Sequence, residues 1–195
     1  MSGGGAVKGT AISSVVDDVN RLLAEGRIAR DDLEAQLERE DLEILEEKVF
    51  PSNWYPLGTY GRLSRVLLHA EGKGSLEYLV ERGRRSAERL RQAGLYAAQL
   101  KVDRDRWGER VGQMMVPLGP AIYRDTFWRV DVTDVEGRVS FAIEVDVPAD
   151  FPDLCRHQTQ GFIEHAATYA AGEPVEVTSE RVTDTRLRFR GSSRR

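Results

Sequence analysis

The sequence has 195 residues, of which 41% are hydrophobic, and it carries a formal net charge of −4. This composition supports a hydrophobic core, and the acidic balance gives no overall basic field that would attract nucleic acid. No apolar run approaches the roughly 20 residues that a membrane span requires, so we predict no membrane span.

The single cysteine, Cys155, excludes an intrachain disulfide and suits a reducing compartment. We therefore predict a cytoplasmic protein. Residues 1–10 are rich in glycine and lack the apolar segment of a signal peptide. We predict a flexible leader at 1–12, a single α+β domain at 13–190 and a flexible tail at 191–195. The domain divides into a helical portion, 13–118, and a sheet portion, 121–190.

The first helices are predicted from apolar residues that recur at helical spacing. Ser13 or Ser14 can cap a helix that ends at Gly26. Residues 30–48 form one long or two short helices, with leucines on one side and many acidic residues on the rest. That acidic face is a solvated surface or a docking surface for a basic partner.

An aromatic link, residues 50–56, separates these helices from the next group. Its aromatic residues Trp54 and Tyr55 stand between two prolines and either cover the core or line a ligand pocket or a dimer face. Helices are then expected at 57–72, at 74–94 and at about 103–116, the last one stopped by Gly119-Pro120. In the second, Gly83 and Ala87 are small enough to allow close helix packing, and arginines between 82 and 91 face outward. Those arginines can pair with the acidic helix of the same or a neighbouring chain.

The last third of the chain alternates apolar and polar residues in two hairpins. Residues 128–133 and 139–147 flank a turn at 134–137, and residues 174–178 and 186–190 flank a turn at 180–184. Between the hairpins, residues 153–171 predict a helix that ends at Gly172, with Gly161 open to a close neighbour. Its inward side is expected to carry Leu154, Gln158, Phe162, His165 and Tyr169. The fold class is therefore α+β, with N-terminal helices packed on an antiparallel sheet of β-β-α-β-β order.

The residues that carry chemistry do not form a recognisable reactive centre. The histidines His157 and His165 are eight residues apart on one predicted helix, about two turns, so they cannot chelate one ion together. Cys155 lacks a local base and an orienting group, which favours a buried structural cysteine. We predict no catalytic residue, no metal and no cofactor.

Residues 155–164, residues 172–177 and the strand at 186–190 resemble the C-terminal part of 4-vinyl-reductase domains. Residues 49–90, with Trp54-Tyr55-Pro56-Leu57, are similar to an uncharacterised paralogous family of myxobacteria near the same superfamily. That superfamily also contains haem–nitric-oxide-binding domains and TRAPP vesicle-tethering subunits, and the resemblance implies helices packed on an antiparallel sheet. The haem-binding relatives use a proximal histidine and a Tyr-x-Ser-x-Arg motif, and the sequence has no such motif.

Together these observations predict a non-enzymatic sensing or scaffold domain in bacterial signalling, which binds a small apolar ligand or a partner protein and forms a homodimer. A purely structural homodimeric module and a haem-like or Cys/His-dependent sensor or enzyme are the alternatives. The predicted pocket wall is a set of aromatic residues with one methionine and one histidine. Its members are Trp54, Tyr55, Tyr60, Trp107, Met114, Phe141, Phe162, His165 and Tyr169.

Overall fold

The computed structural model describes residues 4–94, 105–135 and 138–193. Within them the chain forms helices and strands in the following order, given by residue range. The elements are β1 (Ala6–Lys8), α1 (Gly9–Ala24), α2 (Arg30–Gln36), α3 (Arg39–Glu46), β2 (Trp54–Pro56), α4 (Leu57–Ala70), α5 (Glu77–Gln92), α6 (Trp107–Ile122), β3 (Phe127–Val135), β4 (Arg138–Asp146), α7 (Asp153–Ala171), β5 (Val175–Thr183) and β6 (Arg186–Ser193).

The main sheet has four antiparallel strands in the order β3-β4-β6-β5. Because β3, β4, α7, β5 and β6 follow one another in the chain, the predicted β-β-α-β-β order and the α+β fold class are confirmed. Its inner face buries alternate residues such as Phe141, Ile143 and Phe189. Its outer face carries cross-strand ion pairs, such as Arg188 with Glu144 at 2.7 Å. One face is therefore covered and the other is solvated, as the alternation predicted.

Helix α6 seats on β3 through three glycines on one of its faces. A Cβ atom added at Gly108, Gly112 or Gly119 would lie 3.0, 2.4 or 2.1 Å from a side-chain atom of Val132, Val130 or Trp128, respectively. Because glycine has no side chain, the axis of α6 approaches β3 closely at these positions. This contact explains why the predicted stop at Gly119-Pro120 is wrong.

Helix α6 continues through Pro117 and Pro120 to Ile122, and the Tyr123 N–H then donates to the Gly119 carbonyl at 2.8 Å. Proline removes helical hydrogen bonds, but Leu118 and Gly119 are buried and their packing outweighs that loss. The first strand of the main sheet consequently begins at Phe127 rather than at Ile122-Tyr123. The expected start of this helix near Asp103 lies outside the described residues.

Parts of the two segments expected to be flexible, residues 6–12 and 191–193, lie in strands and a helix. Residues 6–8 form β1, which pairs with β2 in a second, two-stranded sheet, and Val7 is fully buried. At the other end β6 extends to Ser193, so Gly191 packs against the Phe141 ring. These short segments have weak local signals, and burial against the helices and sheet orders them.

The acidic segment forms two short helices, α2 and α3, which is one of the two expected forms. Asp41 is fully buried there and accepts two hydrogen bonds from Arg62 of α4, at 2.6 and 2.8 Å. The arginines of α5 find other partners: Arg84 pairs with Glu164 and Arg91 pairs with Glu88. Within the described part of the chain the acidic and arginine faces thus do not pair with each other, and pairing between copies stays a prediction.

Helix α7 lies between α5 on one side and α6 with the sheet on the other. Two faces are therefore covered, and small residues such as Ala166, Ala167 and Ala170 fill the contacts. The predicted inward side is wrong in part: Gln158 is buried, but Tyr169 is exposed. A helix that is enclosed on two sides has no single apolar stripe to reveal its orientation. The Gly172 stop is confirmed, with a left-handed backbone at φ 70°.

Candidate functional site

A cavity of about 300 Å³ lies between α1, α5, α6 and α7. Several small residues belong to its lining, among them Ala11, Ser14 and Ser86. The full lining is Thr10, Ala11, Ser14, Tyr60, Gly83, Ser86, Arg89, Leu90, Ala93, Met115, Leu118, Gly119, Ile122, Tyr123, Trp128, Gln158, Thr159 and Phe162. Most of this surface is apolar, which suits a small organic ligand.

Polar groups in the cavity wall are concentrated around two buried tyrosines. The Tyr60 hydroxyl of α4 interacts with Tyr123 and Gln158, and the Tyr123 hydroxyl also interacts with Thr159. Tyr60 and Tyr123 are 1% and 7% exposed. Burial raises the pKa of each phenol above its ordinary value, so both hydroxyls stay protonated and act as hydrogen-bonding groups.

One charged side chain, Arg89, belongs to the lining in the described part of the chain. Its guanidinium Nη2 donates to the Ser86 hydroxyl at 2.9 Å, and that hydroxyl donates to the Arg82 carbonyl at 2.9 Å. Arg89 is exposed, so it stands where the cavity meets solvent. The site therefore combines an apolar interior, a buried phenol pair and a cation at the rim.

Two of the nine predicted pocket residues, Tyr60 and Phe162, line this cavity. Three others, Trp107, Met114 and Phe141, are buried in the core, where the Trp107 and Phe141 rings meet edge to face at 5.6 Å. They fill the space between α6 and the sheet, and so contribute packing there.

The remaining four predicted residues lie outside the cavity in two pairs, with Tyr169 exposed and the other three partly buried. Two cations lie over the Trp54 ring, with Lys8 Nζ 4.6 Å and Arg124 Cζ 4.5 Å from the ring centre. Tyr55 accepts a hydrogen bond from the Phe50 N–H at 2.8 Å. These contacts hold the aromatic link over the first helices.

The second pair lies along α5 and α7. His165 Nε2 is 3.0 Å from Glu88 Oε2, and the Arg91 guanidinium lies over the Tyr169 ring at 4.9 Å. Arg91 and Gln92, with His165, hold the pKa of Glu88 down at about 2. Neither His165 nor Tyr169 reaches the cavity, so the structure does not bring the nine residues together.

Sequence reasoning missed most of the lining because small residues carry no pocket signal. Ala11, Ser14, Ser86 and Gly119 become cavity walls only through the positions of three helices. Arg89 was recognised as part of an outward arginine face, but helical spacing alone could not place it at a cavity rim.

None of the three histidines lines the cavity, and the only cysteine does not line it either. His69 is exposed on α4, whereas His157 packs beside Arg156, which with burial lowers the pKa of His157. Cys155 is buried at 1% exposure, which confirms the structural cysteine, and burial raises the pKa of its thiol. The described residues also contain no helix long and apolar enough to cross a membrane.

No family model matches the sequence, and no curated protein matches it significantly. Solved structures do match. An H-NOX mutant from T. tengcongensis has a TM-score of 0.63 at 15% identity over 96% of this chain and 98% of its own. An Fe(II) unliganded H-NOX mutant from K. algicida has a TM-score of 0.65 at 15% identity, over 96% and 97%. A further H-NOX structure belongs to a study of haem distortion in that family, with a TM-score of 0.60 at 13% identity.

These identities are low, so the likeness concerns the fold. It confirms the resemblance to haem–nitric-oxide-binding domains at that level. The likenesses to the myxobacterial family, to 4-vinyl-reductase domains and to TRAPP subunits stay predictions. The chain has an H-NOX-like α+β fold along almost its whole length.

Proposed function

We propose that this chain is a non-enzymatic sensing domain of bacterial signalling that binds a small, mainly apolar molecule in the cavity between α1, α5, α6 and α7. The observation that carries the proposal is a mainly apolar space of about 300 Å³ whose lining includes the buried Tyr60–Tyr123 pair. Ligand sites combine such apolar walls with a few convergent polar groups. No nucleophile with an adjacent base lines the described walls.

The H-NOX neighbours favour a different ligand, because one is an Fe(II) protein and another belongs to a study of haem distortion. A haem needs an axial ligand from histidine, cysteine, methionine or tyrosine. The cavity offers no histidine or cysteine. Among these donor types the lining holds Tyr60, Tyr123 and Met115.

Size also argues against haem. At about 300 Å³ the cavity is at the lower end of the volumes of small-molecule sites. A porphyrin with four pyrrole rings needs more space than this. The residues present therefore do not fit haem, and we assign the domain a smaller ligand.

Native mass spectrometry of freshly purified protein tests this function. We expect an added mass that leaves on denaturation. Ala11→Leu, which adds a larger side chain to the cavity wall, should remove that mass, while Ala24→Leu at the exposed end of α1 should keep it. If both variants keep the added mass, the ligand binds elsewhere. If the wild-type protein carries no added mass and binds no added small apolar molecule, the proposal is contradicted.

The haem-sensor alternative has its own test, because the neighbours' fold favours it. Haem added to the purified protein should give no Soret band beyond that of free haem. A stable Soret band that is abolished by Ala11→Leu would overturn our assignment and establish the haem alternative.

A further inference from the structure

The cation at the cavity rim narrows the class of ligand. Arg89 lines the cavity, and its Nη2 donates to the Ser86 hydroxyl at 2.9 Å. A guanidinium carries five N–H groups in a planar fork that matches a carboxylate. The contact with Ser86 fixes the fork at the rim and leaves other N–H groups for a ligand.

Three of the five arginines of α5 pair with carboxylates, and within the described residues Arg85 and Arg89 do not; of these two, Arg89 lines the cavity. Arg82 pairs with Asp18, Arg84 with Glu164 and Arg91 with Glu88. In residues 4–94, 105–135 and 138–193, no carboxylate lies within ion-pair distance of Arg89, whose recorded partner is the neutral Ser86 hydroxyl. The positive charge at the cavity rim is therefore not neutralised by the described part of the chain.

The interior next to this charge is apolar. Leu90 follows Arg89 on α5, and Leu118 and Phe162 face the same space from α6 and α7. One cation beside an apolar space of about 300 Å³ matches a small molecule with one anionic group and an apolar body.

We propose that the cavity binds a small amphipathic carboxylic acid, with its carboxylate on Arg89 and its apolar part between Leu90, Leu118 and Phe162. This inference rests on the proposed function and names the ligand class of the same site. A single carboxylate matches the single cation, whereas a phosphate dianion would place excess negative charge at the rim. The Tyr60–Tyr123 pair lies in the wall as a second polar contact for ligands with a polar substituent.

Isothermal titration with octanoate and octanamide tests the proposal, because the two probes have the same number of non-hydrogen atoms and differ in charge. Each is titrated into the wild-type protein, into Arg89→Gln and into Arg85→Gln, a matched control one helical turn away that is exposed and outside the cavity lining. Arg89→Gln should reduce the preference for octanoate over octanamide about five-fold, as for a partly exposed ion pair. Arg85→Gln should leave the preference unchanged, and added salt should weaken octanoate binding alone.

The outcomes separate this inference from the proposed function. If both probes bind and Arg89→Gln leaves their ratio unchanged, the carboxylate assignment is overturned and the apolar cavity remains. An equal effect of Arg85→Gln would show a diffuse charge effect and would likewise overturn the role of Arg89. If neither probe binds the wild-type protein, both the acid assignment and the cavity as a site for ligands of this size are overturned.

Discussion

Gly83 of α5 and Gly161 of α7 pack reciprocally, so that each helix backbone touches the other. A Cβ atom added at Gly83 would lie 1.9 Å from the Gln158 carbonyl oxygen, and one added at Gly161 would lie 1.8 Å from the Val80 carbonyl oxygen. Both distances are far below any real contact. This crossing sets the spacing of two helices that form the cavity wall, because Gly83, Gln158 and Phe162 all line it.

The first prediction concerns that crossing. Gly161→Ala should lower the free energy of unfolding by about 3 kcal/mol, because the methyl group meets backbone that cannot rotate away. Denaturant titration measures the loss. Gly58→Ala is the control, since its Cβ would lie 3.2 Å from the Arg62 guanidinium, a contact that a shift of a few tenths of an ångström relieves, and we expect a change within about 1 kcal/mol. Equal effects at the two positions would contradict the close crossing.

The second prediction concerns the buried carboxylate of Asp41. Asp41→Asn removes the charge partner of Arg62, which keeps a 3.0 Å contact with Glu38. We expect a loss of about 2 kcal/mol at neutral pH, below the range for a fully buried pair because Arg62 is partly exposed. Asp17→Asn, at an exposed position of α1, should change stability by less than about 0.5 kcal/mol.

The pH dependence of the Asp41 effect follows from its pKa. Burial alone would raise this pKa, but the hydrogen bonds from Arg62 and others outweigh it, and the pKa lies below the ordinary value of 3.8. A carboxyl whose pKa is depressed on folding stabilises the protein above its unfolded pKa and loses that effect as pH falls. The difference between wild type and Asp41→Asn should therefore be full above about pH 5 and shrink below about pH 4. A difference that does not vary with pH would contradict the pairing.

The third prediction concerns the phenol pair beside the cavity. Since burial raises the pKa of Tyr60 and Tyr123 above 10, their neutral forms stabilise the fold below pH 10, and this effect is lost as pH rises further. Wild-type stability should fall above about pH 10 together with the appearance of tyrosinate absorbance. The stability of the double variant Tyr60→Phe/Tyr123→Phe should fall less steeply above that pH. It should also lose about 2 kcal/mol at neutral pH, because Gln158 and Thr159 lose partners.

The fourth prediction concerns Cys155, which is 1% exposed and whose thiol has a pKa raised by burial. Its reaction with an aromatic disulfide reagent should proceed only as fast as the protein opens, since the reactive species is the exposed thiolate. After denaturant is added, one equivalent of thiol per protein chain should react rapidly with the reagent. Gln113→Cys, at an exposed position of α6, should supply one fast equivalent in the folded protein as a positive control. Fast reaction of the folded wild-type protein would show that Cys155 is accessible.

The local pattern of apolar and polar residues was sufficient to predict an element where each of its sides faces a single environment. The alternation of Val139, Phe141 and Ile143 with polar residues predicted β4 and its solvated outer face, because a strand has only two sides. The sequence also identified Gly83 and Gly161 as points where another backbone comes close, because glycine has no side chain to prevent such a contact. The pattern predicted the bounds of α7 but not its buried side, and it did not predict the end of α6, because both helices touch neighbours on more than one face.

The sequence by itself determined the α+β class, the order of the C-terminal strands and helix, the buried state of Cys155 and the two glycines that allow the helix crossing. Only the tertiary structure decided that Tyr60 and Phe162 line a cavity while Trp107, Met114 and Phe141 fill the core, and that Arg89 stands at the cavity rim. The physical reason is that periodicity reports which side of an element is apolar. Whether the space beside that side is filled depends on the distances between elements, and long-range contacts set those distances.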